Sequence, residues 1–418
     1  MLPRKIYKKL KEHARSRKIV LLIGARQVGK TTLLRGLFGE LSKTNKCLFL
    51  DLDILSNYEK ISSFESLVNT LKINGYDEKQ KEFFYLFLDE FQKYPLFPKI
   101  MKNVYDSLEN VKIYASGSSS IEIKDKSQES LAGRKQIIEI FTLDFEEFLW
   151  FKQNEKLSGN FKNLEKLKGD DLGNSVDDFN SLLKEFLIFG GYPEAALKNS
   201  KEEKAEVLSS IFDLYIKKDL VEYLRIEKIL EVKRLIEFLA VNNGQKTKYE
   251  EITKLTSLGF NEIKRYLEIL EETYLIKILK PYYTNKNKEI VKIPKVYFID
   301  NGVRNFFINN FNGLNLRDDG GFLFEGFIIS ELLKNGEKNL KFWQDKNNNE
   351  VDIIMEKEKI IPIEVKFKQK LKSEDFRGLN IFLKEYPKIK KSYLINLGIQ
   401  KDSKKTSLLL PYSLSKIV

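Results

Sequence analysis

One stretch of the chain reads Gly24-Ala25-Arg26-Gln27-Val28-Gly29-Lys30-Thr31, with the apolar run 19–23 before it and the helix-like run 32–37 after it. Glycines at both ends let backbone N–H groups close around phosphates, and the following helix presents the positive end of its dipole. In this pattern Lys30 reaches the β- and γ-phosphates, and Thr31 holds the bridging Mg²⁺. The stretch therefore predicts a P-loop that binds ATP. The predicted nucleotide-binding residues are Gly24, Ala25, Arg26, Gln27, Val28, Gly29, Lys30, Thr31 and Thr32.

The composition narrows the class of protein. A chain of 418 residues, 42% of them hydrophobic, is long enough for about three domains with their own cores. It has no apolar run of bilayer length and no signal-peptide pattern, so we expect a cytoplasmic protein with no membrane partner. One cysteine, Cys47, excludes a disulfide framework and a thiolate zinc site, and one histidine, His13, disfavours serine–histidine chemistry.

The net charge points to a class of partner. The formal charge is +12, and basic residues crowd the first 18 positions. Such a balance favours contact with a polyanion, most simply nucleic acid. A lysine-rich chain can also simply be well solvated, so charge alone leaves both interpretations open.

Strand-like apolar runs alternate with helical sequence in the first third of the chain, at 19–23, 47–51, 83–88, 111–115 and 135–140. Continuous apolar runs of this kind indicate a parallel sheet that is covered on both faces. Asp89 and Glu90 close the third run, where a Walker B pair belongs. In that role Asp89 orients Mg²⁺ and Glu90 polarises the attacking water.

Several motifs together carry a resemblance to a known family. They are the P-loop stretch, Leu-Asp-Glu-Phe-Gln at 88–92, Leu-Ala-Gly-Arg at 131–134, Gly-Gly-Tyr-Pro-Glu at 190–194 and Lys-Val-Tyr-Phe-Ile-Asp at 295–300. With them the chain resembles, over nearly its whole length, the AAA-type ATPases that carry a C-terminal DUF4143 domain. The single strand between the P-loop and the acid pair also resembles the additional-strand catalytic-glutamate division of P-loop ATPases, which includes the AAA+ proteins. The resemblance implies an ATPase core that uses ATP and Mg²⁺.

The same resemblance implies two further site residues. Ser118 stands where that division has a polar sensor of the γ-phosphate or the water, although a plain turn is the alternative. Arg134 matches the arginine of the Leu-Ala-Gly-Arg motif, which can complete the site of a neighbouring subunit. This role implies a homo-oligomer such as a ring. Arg134 can equally be a surface residue or a structural partner of Glu146.

Two helices joined by a short turn are predicted in the middle of the chain. Thr247-Lys248-Tyr249-Glu250 has the spacing of a capping box, and residues 257–260 supply the turn. The runs 275–280 and 289–293, with a basic tip between them, then predict a β-hairpin. This order resembles a winged helix, whose second helix can enter a DNA major groove, although many winged helices contact proteins instead. The predicted DNA-binding residues are Lys264, Arg265, Lys286 and Lys288.

Carboxylates and one lysine recur in the C-terminal part. The runs 350–355 and 360–366 can pair as a hairpin that brings Asp352 near Glu364 and Lys366. Asp352 and Glu364 would bind Mg²⁺ or Mn²⁺, Lys366 would position the water, and Glu325 could add a ligand. The order resembles the PD-(D/E)xK nucleases, particularly the archaeal Holliday junction resolvase type. The alternatives are an exposed charged strand and a remnant that binds DNA or regulates without cleaving it.

The predicted fold class is α/β: a P-loop AAA+ parallel sheet, then an all-α and winged-helix part, then a C-terminal α/β nuclease-like domain. The expected domains are an ATPase core at 1–150, a helical lid or connector at 151–225, a winged helix at 226–294 and the nuclease-like domain at 295–418. These parts predict an ATP-hydrolysing protein that binds and remodels duplex or branched DNA. The alternative is a nucleotide-dependent switch whose C-terminal domain only binds DNA or protein.

Overall fold

The computed structural model describes residues 2–118, 131–164, 169–223, 226–246, 248–283 and 293–417. They form two compact units, unit 1 made of Met1–Thr142 with Glu272–Tyr274, and unit 2 made of Leu143–Glu271 with Leu275–Val418. The division into four domains at 150, 225 and 294 stays a prediction. Among the described residues, no helix is both long enough and apolar enough to cross a membrane.

Unit 1 is built on a five-stranded parallel sheet in the order β2-β3-β4-β1-β5. This arrangement confirms the predicted parallel α/β sheet. The strands are β1 (Ile19–Gly24), β2 (Cys47–Asp51), β3 (Phe84–Asp89), β4 (Val111–Ser118) and β5 (Lys135–Ile140). The described helices are α1 (Lys5–Glu12), α2 (Lys30–Leu41), α3 (Leu55–Lys60), α4 (Phe64–Ile73) and α5 (Phe97–Ser107), with 3₁₀ turns at His13–Arg15 and Phe91–Lys93.

Side chains alternate along each strand of unit 1 and so lie on both faces of its sheet, and both faces are covered by other residues. Leu86 of β3 and Ile113 of β4 share one core with Met101 of α5 and with residues of α4. On the other face, Phe87 stacks on Tyr114 at 5.4 Å and meets Phe38 of α2 edge-on at 5.6 Å. Every residue of β1 and β3 is buried, which explains why both strands appear in the sequence as unbroken apolar runs.

Unit 2 begins with helices and continues into a second sheet. The first group of helices is α6 (Phe145–Phe151), α7 (Glu155–Lys162), α8 (Gly169–Phe189), α9 (Pro193–Leu197) and α10 (Lys201–Leu214), followed by the π-helical segment Tyr215–Tyr223. The next are α11 (Ile229–Val241), α12 (Tyr249–Thr256), α13 (Phe260–Glu272), α14 (Asn301–Phe307), α15 (Gly320–Lys334) and α16 (Arg377–Glu385), with 3₁₀ turns at Leu314–Leu316, Ser373–Phe376 and Leu414–Lys416.

The second sheet has seven strands in the order β12-β11-β10-β9-β8-β6-β7. The strands are β6 (Ile276–Pro281), β7 (Lys295–Phe298), β8 (Leu340–Gln344), β9 (Glu350–Glu356), β10 (Ile360–Val365), β11 (Ser392–Ile395) and β12 (Thr406–Leu409). The predicted hairpin of β9 and β10 is antiparallel, as expected. The antiparallel partner of β6 is β7 rather than 289–293, whose residues up to 292 lie outside the described ranges. Because β6 also pairs with β8, the predicted wing and the C-terminal strands share one sheet.

Two of the sequence motifs meet in unit 2. Asp300, which follows β7, accepts hydrogen bonds from the backbone N–H of Gly191 at 2.7 Å and of Gly302 at 3.0 Å. Gly190 has a φ of +72°, and a Cβ there would lie 1.8 Å from Asp300 Oδ1. The close approach of this carboxylate therefore requires glycine at position 190, whereas a Cβ on Gly191 would lie 2.4 Å from the carbonyl oxygen of Leu143.

Candidate functional site

The loop between β1 and α2 has the backbone that the P-loop pattern demands. Gln27 and Gly29 have φ values of +57° and +95°, and α2 begins directly afterwards at Lys30. Gly24 tolerates no side chain, since a Cβ there would lie 2.0 Å from the carbonyl oxygen of Ile140. Val28 is fully buried, Ala25 and Arg26 are half-buried, and Gln27 is exposed.

Lys30 lies inside this loop. It is 7% exposed, and its Nζ donates to the carbonyl oxygens of Gly24 at 2.9 Å and Ala25 at 2.6 Å. Thr31, half-buried, and Thr32, exposed, follow in the first turn of α2. The ammonium and the helix start are thus in the arrangement that a phosphate-binding loop requires.

Asp89 and Glu90 stand at the carboxyl end of β3, and each is held by a neighbouring side chain. The Ser116 hydroxyl on β4 donates to Asp89 Oδ1, and the Gln92 side-chain amide donates to Glu90 Oε2. Glu90 has a φ of +56°, a left-handed conformation that is uncommon for this residue type. A Cβ on Gly117 would lie 2.5 Å from Gln92 Oε1, so this glycine leaves room for Gln92.

The end of β4 lies beside the start of the P-loop, because Ser118 pairs in register with Gly24. The predicted sensor therefore has its backbone at the nucleotide edge of the sheet. Its side chain is outside the part of the structure that is described, so its role stays a prediction.

Arg134 lies just before β5, at the opposite end of the strands from the P-loop. Its guanidinium donates to both carboxylate oxygens of Asp106, at 2.7 and 3.0 Å. Lys135, the next residue, pairs with Ile19 at the start of β1, whereas the P-loop follows the end of that strand. The six residues of β1 between them make five steps along the strand, which corresponds to about 16 Å. The structural partner of Arg134 is thus Asp106 in place of the Glu146 considered from the sequence.

Two of the four predicted DNA-binding residues lie in the described part of the structure. Lys264 and Arg265 are both exposed on α13, and the Lys264 ammonium lies 4.3 Å from the centre of the Phe260 ring. The same helix carries Glu262, which pairs with Lys228 at 2.6 Å. Lys286 and Lys288 lie outside the described residues.

A second group of charged residues, here named the carboxylate cluster, comprises Glu325, Glu350, Asp352 and Glu364 with Lys295 and Lys366. Lys366 Nζ lies 2.5 Å from Glu364 Oε1 and 3.9 Å from Asp352 Oδ2. Asp352 Oδ2 also accepts the N–H of Val365 at 2.8 Å. β9 and β10 therefore bring together the three residues that the sequence placed there.

Glu325 is held by two residues that the sequence did not indicate. Tyr297 donates its hydroxyl to Glu325 Oε1, and Lys295 lies 3.7 Å from the same oxygen while also pairing with Glu350. Among the described residues, no three Asp, Glu, His or Cys side chains converge into a metal site. The predicted ligand set of Glu325, Asp352 and Glu364 stays a prediction, and Tyr297 and Lys295 both engage Oε1 of Glu325.

Burial dominates the electrostatics of the carboxylate cluster. Burial raises the pKa of Glu325 to about 7, with Lys295 opposing and Asp352 adding to the shift. Burial and the nearby Asp352 also raise the pKa of Glu364 well above its ordinary value. Glu364 Oε2 is buried and has no hydrogen-bond partner among the described residues. An orphaned buried carboxylate oxygen is the kind of atom that a cation or a proton would satisfy.

The residues that sequence reasoning missed are mostly the partners of the predicted ones, namely Ser116, Gln92, Lys295 and Tyr297. Gln92, Lys295 and Tyr297 lie within the motifs given above, and Ser116 directly follows the predicted strand 111–115, so the signal was adjacency to those features. Their roles depend on which strands are neighbours, which the motifs alone do not reveal.

Three family models match successive stretches of the chain. A family model described as an AAA domain matches residues 16–149, a domain of unknown function named DUF8612 matches 180–314, and another named DUF4143 matches 320–414. The Walker-type ATPase PABY2304 of Pyrococcus abyssi is a similar solved structure, with a TM-score of 0.48 and 17% identity over 74% of this chain and 96% of that one. The Aeropyrum pernix ORC1 protein, solved in complex with DNA, has a TM-score of 0.33 and 13% identity over 74% and 93% of the two chains.

Curated relatives extend the similarity along the chain. The uncharacterized protein Rv2008c of Mycobacterium tuberculosis is 25% identical over 81% of this chain and 67% of its own length. The uncharacterized protein MJ1637 of Methanocaldococcus jannaschii is 25% identical over 68% of this chain, which spans 61% of that relative. The uncharacterized protein MJ1544 of the same archaeon is 30% identical over 345 residues, covering 81% of this chain and 72% of that protein. The chain therefore belongs to the same family as MJ1544, as an AAA-type P-loop ATPase with a C-terminal DUF4143 domain.

Proposed function

We propose that this protein hydrolyses ATP at the edge of the unit 1 sheet where β1 and β3 end, and that hydrolysis serves the binding and remodelling of DNA. The observation that supports the ATPase step is that both acids accept a hydrogen bond from a nearby side chain, Asp89 from Ser116 and Glu90 from Gln92. Asp89 ends the buried strand β3 and Glu90 follows it, in the same sheet as a P-loop whose lysine is already enclosed.

Each residue has a chemical role in this proposal. Lys30 exchanges its two loop carbonyls for oxygens of the β- and γ-phosphates. Thr31 and Asp89 would hold Mg²⁺, which neutralises charge on the same phosphates. Glu90 accepts a proton from the attacking water, and the amide of Gln92 fixes the direction of that carboxylate.

The proposed Arg134 finger acts between subunits of a homo-oligomer. Arg134 lies a strand length from its own P-loop, so it can complete only the site of a neighbouring copy. Its bidentate pair with Asp106 is at the protein surface, and surface pairs of this kind hold their partners weakly. The arginine can therefore leave Asp106 when a phosphate offers a stronger anion.

The DNA part of the proposal is supported by the order of elements in unit 2. Helices α11, α12 and α13 precede the antiparallel pair β6 and β7, and Lys246 forms a single antiparallel bridge with Lys295. This order resembles that of a winged helix, in which α13 would be the helix that carries Lys264 and Arg265 towards DNA. A nucleotide-dependent switch without DNA remodelling is the rival, and it predicts slow turnover that DNA does not stimulate.

A second candidate activity is metal-dependent cleavage of branched DNA at the carboxylate cluster. It is favoured by the orphaned Glu364 Oε2 and by the position of Lys366 between Asp352 and Glu364. Asp352 and Glu364 would hold Mg²⁺ or Mn²⁺, which would activate water for phosphodiester cleavage.

The decisive experiment measures ATP binding and phosphate release for the wild type, Lys30→Ala and Glu90→Gln, with and without linear, forked and four-way DNA. We expect Lys30→Ala to lose binding and Glu90→Gln to bind but not turn over. Exposed Glu59→Gln in the same unit is the control for loss of one carboxylate. Full hydrolysis by Glu90→Gln would remove this residue from catalysis, and turnover that DNA leaves unchanged would favour the switch.

A further inference from the structure

Arg4, just before α1, makes two long-range hydrogen bonds within unit 1. Its Nη1 donates to the carbonyl oxygen of Val28 at 2.8 Å, and its Nη2 donates to the carbonyl oxygen of Phe141 at 2.9 Å. Val28 is a fully buried residue of the P-loop, and Phe141 directly follows β5. One guanidinium therefore joins the nucleotide loop to the end of a neighbouring strand.

The first bond fixes a particular peptide plane of the P-loop. Val28 lies between Gln27 and Gly29, whose φ values of +57° and +95° make this the irregular part of the loop. In a planar trans peptide, the carbonyl of Val28 and the N–H of Gly29 point in opposite directions. By holding the carbonyl, Arg4 directs the Gly29 N–H away from itself, and this N–H is one of the donors that a P-loop offers to phosphate.

The second bond is at the place where the chain leaves unit 1, whose first segment ends at Thr142. The ring of Phe141 meets the ring of Tyr274 edge-on at 5.4 Å, and the Tyr274 hydroxyl donates to Glu139 at 2.9 Å. Tyr274 ends the short segment by which the chain returns to unit 1. The outgoing and returning segments of unit 1 are thus tied together, and Arg4 is bonded to the outgoing one.

We propose that Arg4 is a positioning residue of the ATP site, which holds the Val28–Gly29 peptide for phosphate binding and links the P-loop to the segment 139–142. This inference rests on the proposed ATPase function. It assigns Arg4 no contact with the reacting atoms, so its effect is expected on binding and on the linkage rather than on the chemical step.

The test compares Arg4→Ala, Arg4→Lys and a control, Lys8→Ala, which removes an exposed cation one turn further along α1. A hydrogen bond from a charged donor implies that Arg4→Ala weakens binding of a non-hydrolysable ATP analogue by about tenfold to a hundredfold. We expect kcat at saturating ATP to change little, Arg4→Lys to recover part of the affinity, and Lys8→Ala to match the wild type. Thermal unfolding of each variant separates this effect from loss of folding.

Hydrogen exchange supplies a readout that a purely structural role would not change. In the wild type, saturating analogue is expected to slow exchange in peptides covering both the P-loop and residues 139–142. In Arg4→Ala, saturation should still protect the P-loop but no longer residues 139–142. Wild-type affinity in Arg4→Ala, or retained protection at 139–142, would overturn the inference. If the wild type itself bound no nucleotide, the proposed function would fail instead.

Discussion

The hydroxyl of Ser116 donates a hydrogen bond to Asp89 Oδ1 across the boundary between β4 and β3. Both residues are buried, at 0% and 3% exposure, and they follow the register pair Leu88 and Ala115. The carboxylate that is expected to orient Mg²⁺ is therefore held by a neighbouring strand as well as by its own loop, because the backbone N–H of Glu90 donates to the same oxygen at 3.1 Å. Strand β4 contributes again one residue later, because Gly117 leaves the space that Gln92 occupies beside Glu90.

Ser116→Ala should impair ATP hydrolysis without abolishing nucleotide binding. Removing the donor leaves a buried carboxylate less well satisfied, a loss of about 1.5–3 kcal/mol for a charged group. We expect kcat/KM for ATP to fall by about tenfold to a hundredfold, as measured by phosphate release. The control is Ser62→Ala, an exposed serine of the same unit. Unchanged kinetics in Ser116→Ala would mean that Asp89 needs no such support.

Gln92→Ala should lower kcat while leaving ATP affinity near that of the wild type. The Gln92 amide bonds to the carboxylate that would accept the proton, so its loss frees Glu90 to rotate away from the water. Gly117→Ala should act in the same direction, since its Cβ would lie 2.5 Å from Gln92 Oε1. Single-turnover kinetics at saturating ATP measure this step. A rise in KM with normal kcat would instead assign Gln92 to nucleotide binding.

The nucleotide loop could be predicted from the sequence because its chemistry is local. A phosphate is bound by consecutive backbone groups, so residues 24–31 and the acid pair at 89–90 are recognisable without a fold. The residues that support this site could not be recognised in the same way, because they are distant in the sequence. Ser116 lies 27 positions from Asp89 and Arg4 lies 24 positions from Val28, and only strand order and the packing of α1 bring them together.

The carboxylate cluster could also be predicted only in part, because some of its contacts depend on the order of the strands. Asp352, Glu364 and Lys366 belong to one hairpin, so alternation along the strands predicted their meeting. Lys295 and Tyr297 lie on β7, at the far edge of the seven-stranded sheet, which no local pattern relates to β9 and β10. A lysine 55 residues before Glu350 cannot be assigned to it until the seven-stranded order is known.

Asp319→Asn should destabilise unit 2 by roughly 3 kcal/mol, because two arginines with buried side chains share this carboxylate. Burial alone would raise its pKa, but hydrogen bonds and charge from Arg317 and Arg304 lower the pKa of Asp319 to about 2. The stabilisation is therefore complete above the ordinary aspartate pKa and is lost as the pH falls toward 2. Denaturant unfolding at neutral pH, with the exposed neighbour Asp318→Asn as control, measures the difference. Equal stability of the two variants would contradict this assignment.

The double variant Lys264→Ala, Arg265→Ala should bind DNA more weakly and with a flatter salt dependence. If each side chain neutralises one phosphate, the slope of log K against log salt falls by about 1.8. Titrations of duplex DNA at several salt concentrations give this slope. Exposed Lys388 and Lys390 offer a charge-matched control, Lys388→Ala, Lys390→Ala, for the loss of net charge alone. Equal slopes for the two double variants would place the DNA contact away from α13.

The carboxylate cluster gives the last prediction, and it separates cation binding from cleavage. Glu364 Oε2 is buried without a partner among the described residues, and burial raises the pKa of this carboxyl well above its ordinary value. A divalent cation would favour the ionised form, so Mn²⁺ affinity should rise with pH and be measurable by calorimetry before any DNA is added.

Asp352→Asn and Glu364→Gln should each weaken Mn²⁺ binding by tenfold or more, since each removes one of two charges that face the cation. Glu358→Gln, on the exposed turn of the same hairpin, should leave it unchanged. If the cluster cleaves branched DNA, both variants lose that activity while ATP hydrolysis continues, because the P-loop lies in the other unit. Mn²⁺ binding without cleavage by the wild type would reduce the cluster to a binding module. If Mn²⁺ bound at no pH, the cluster would not be a metal site, and Lys366 and Lys295 would be the cations that balance its carboxylates.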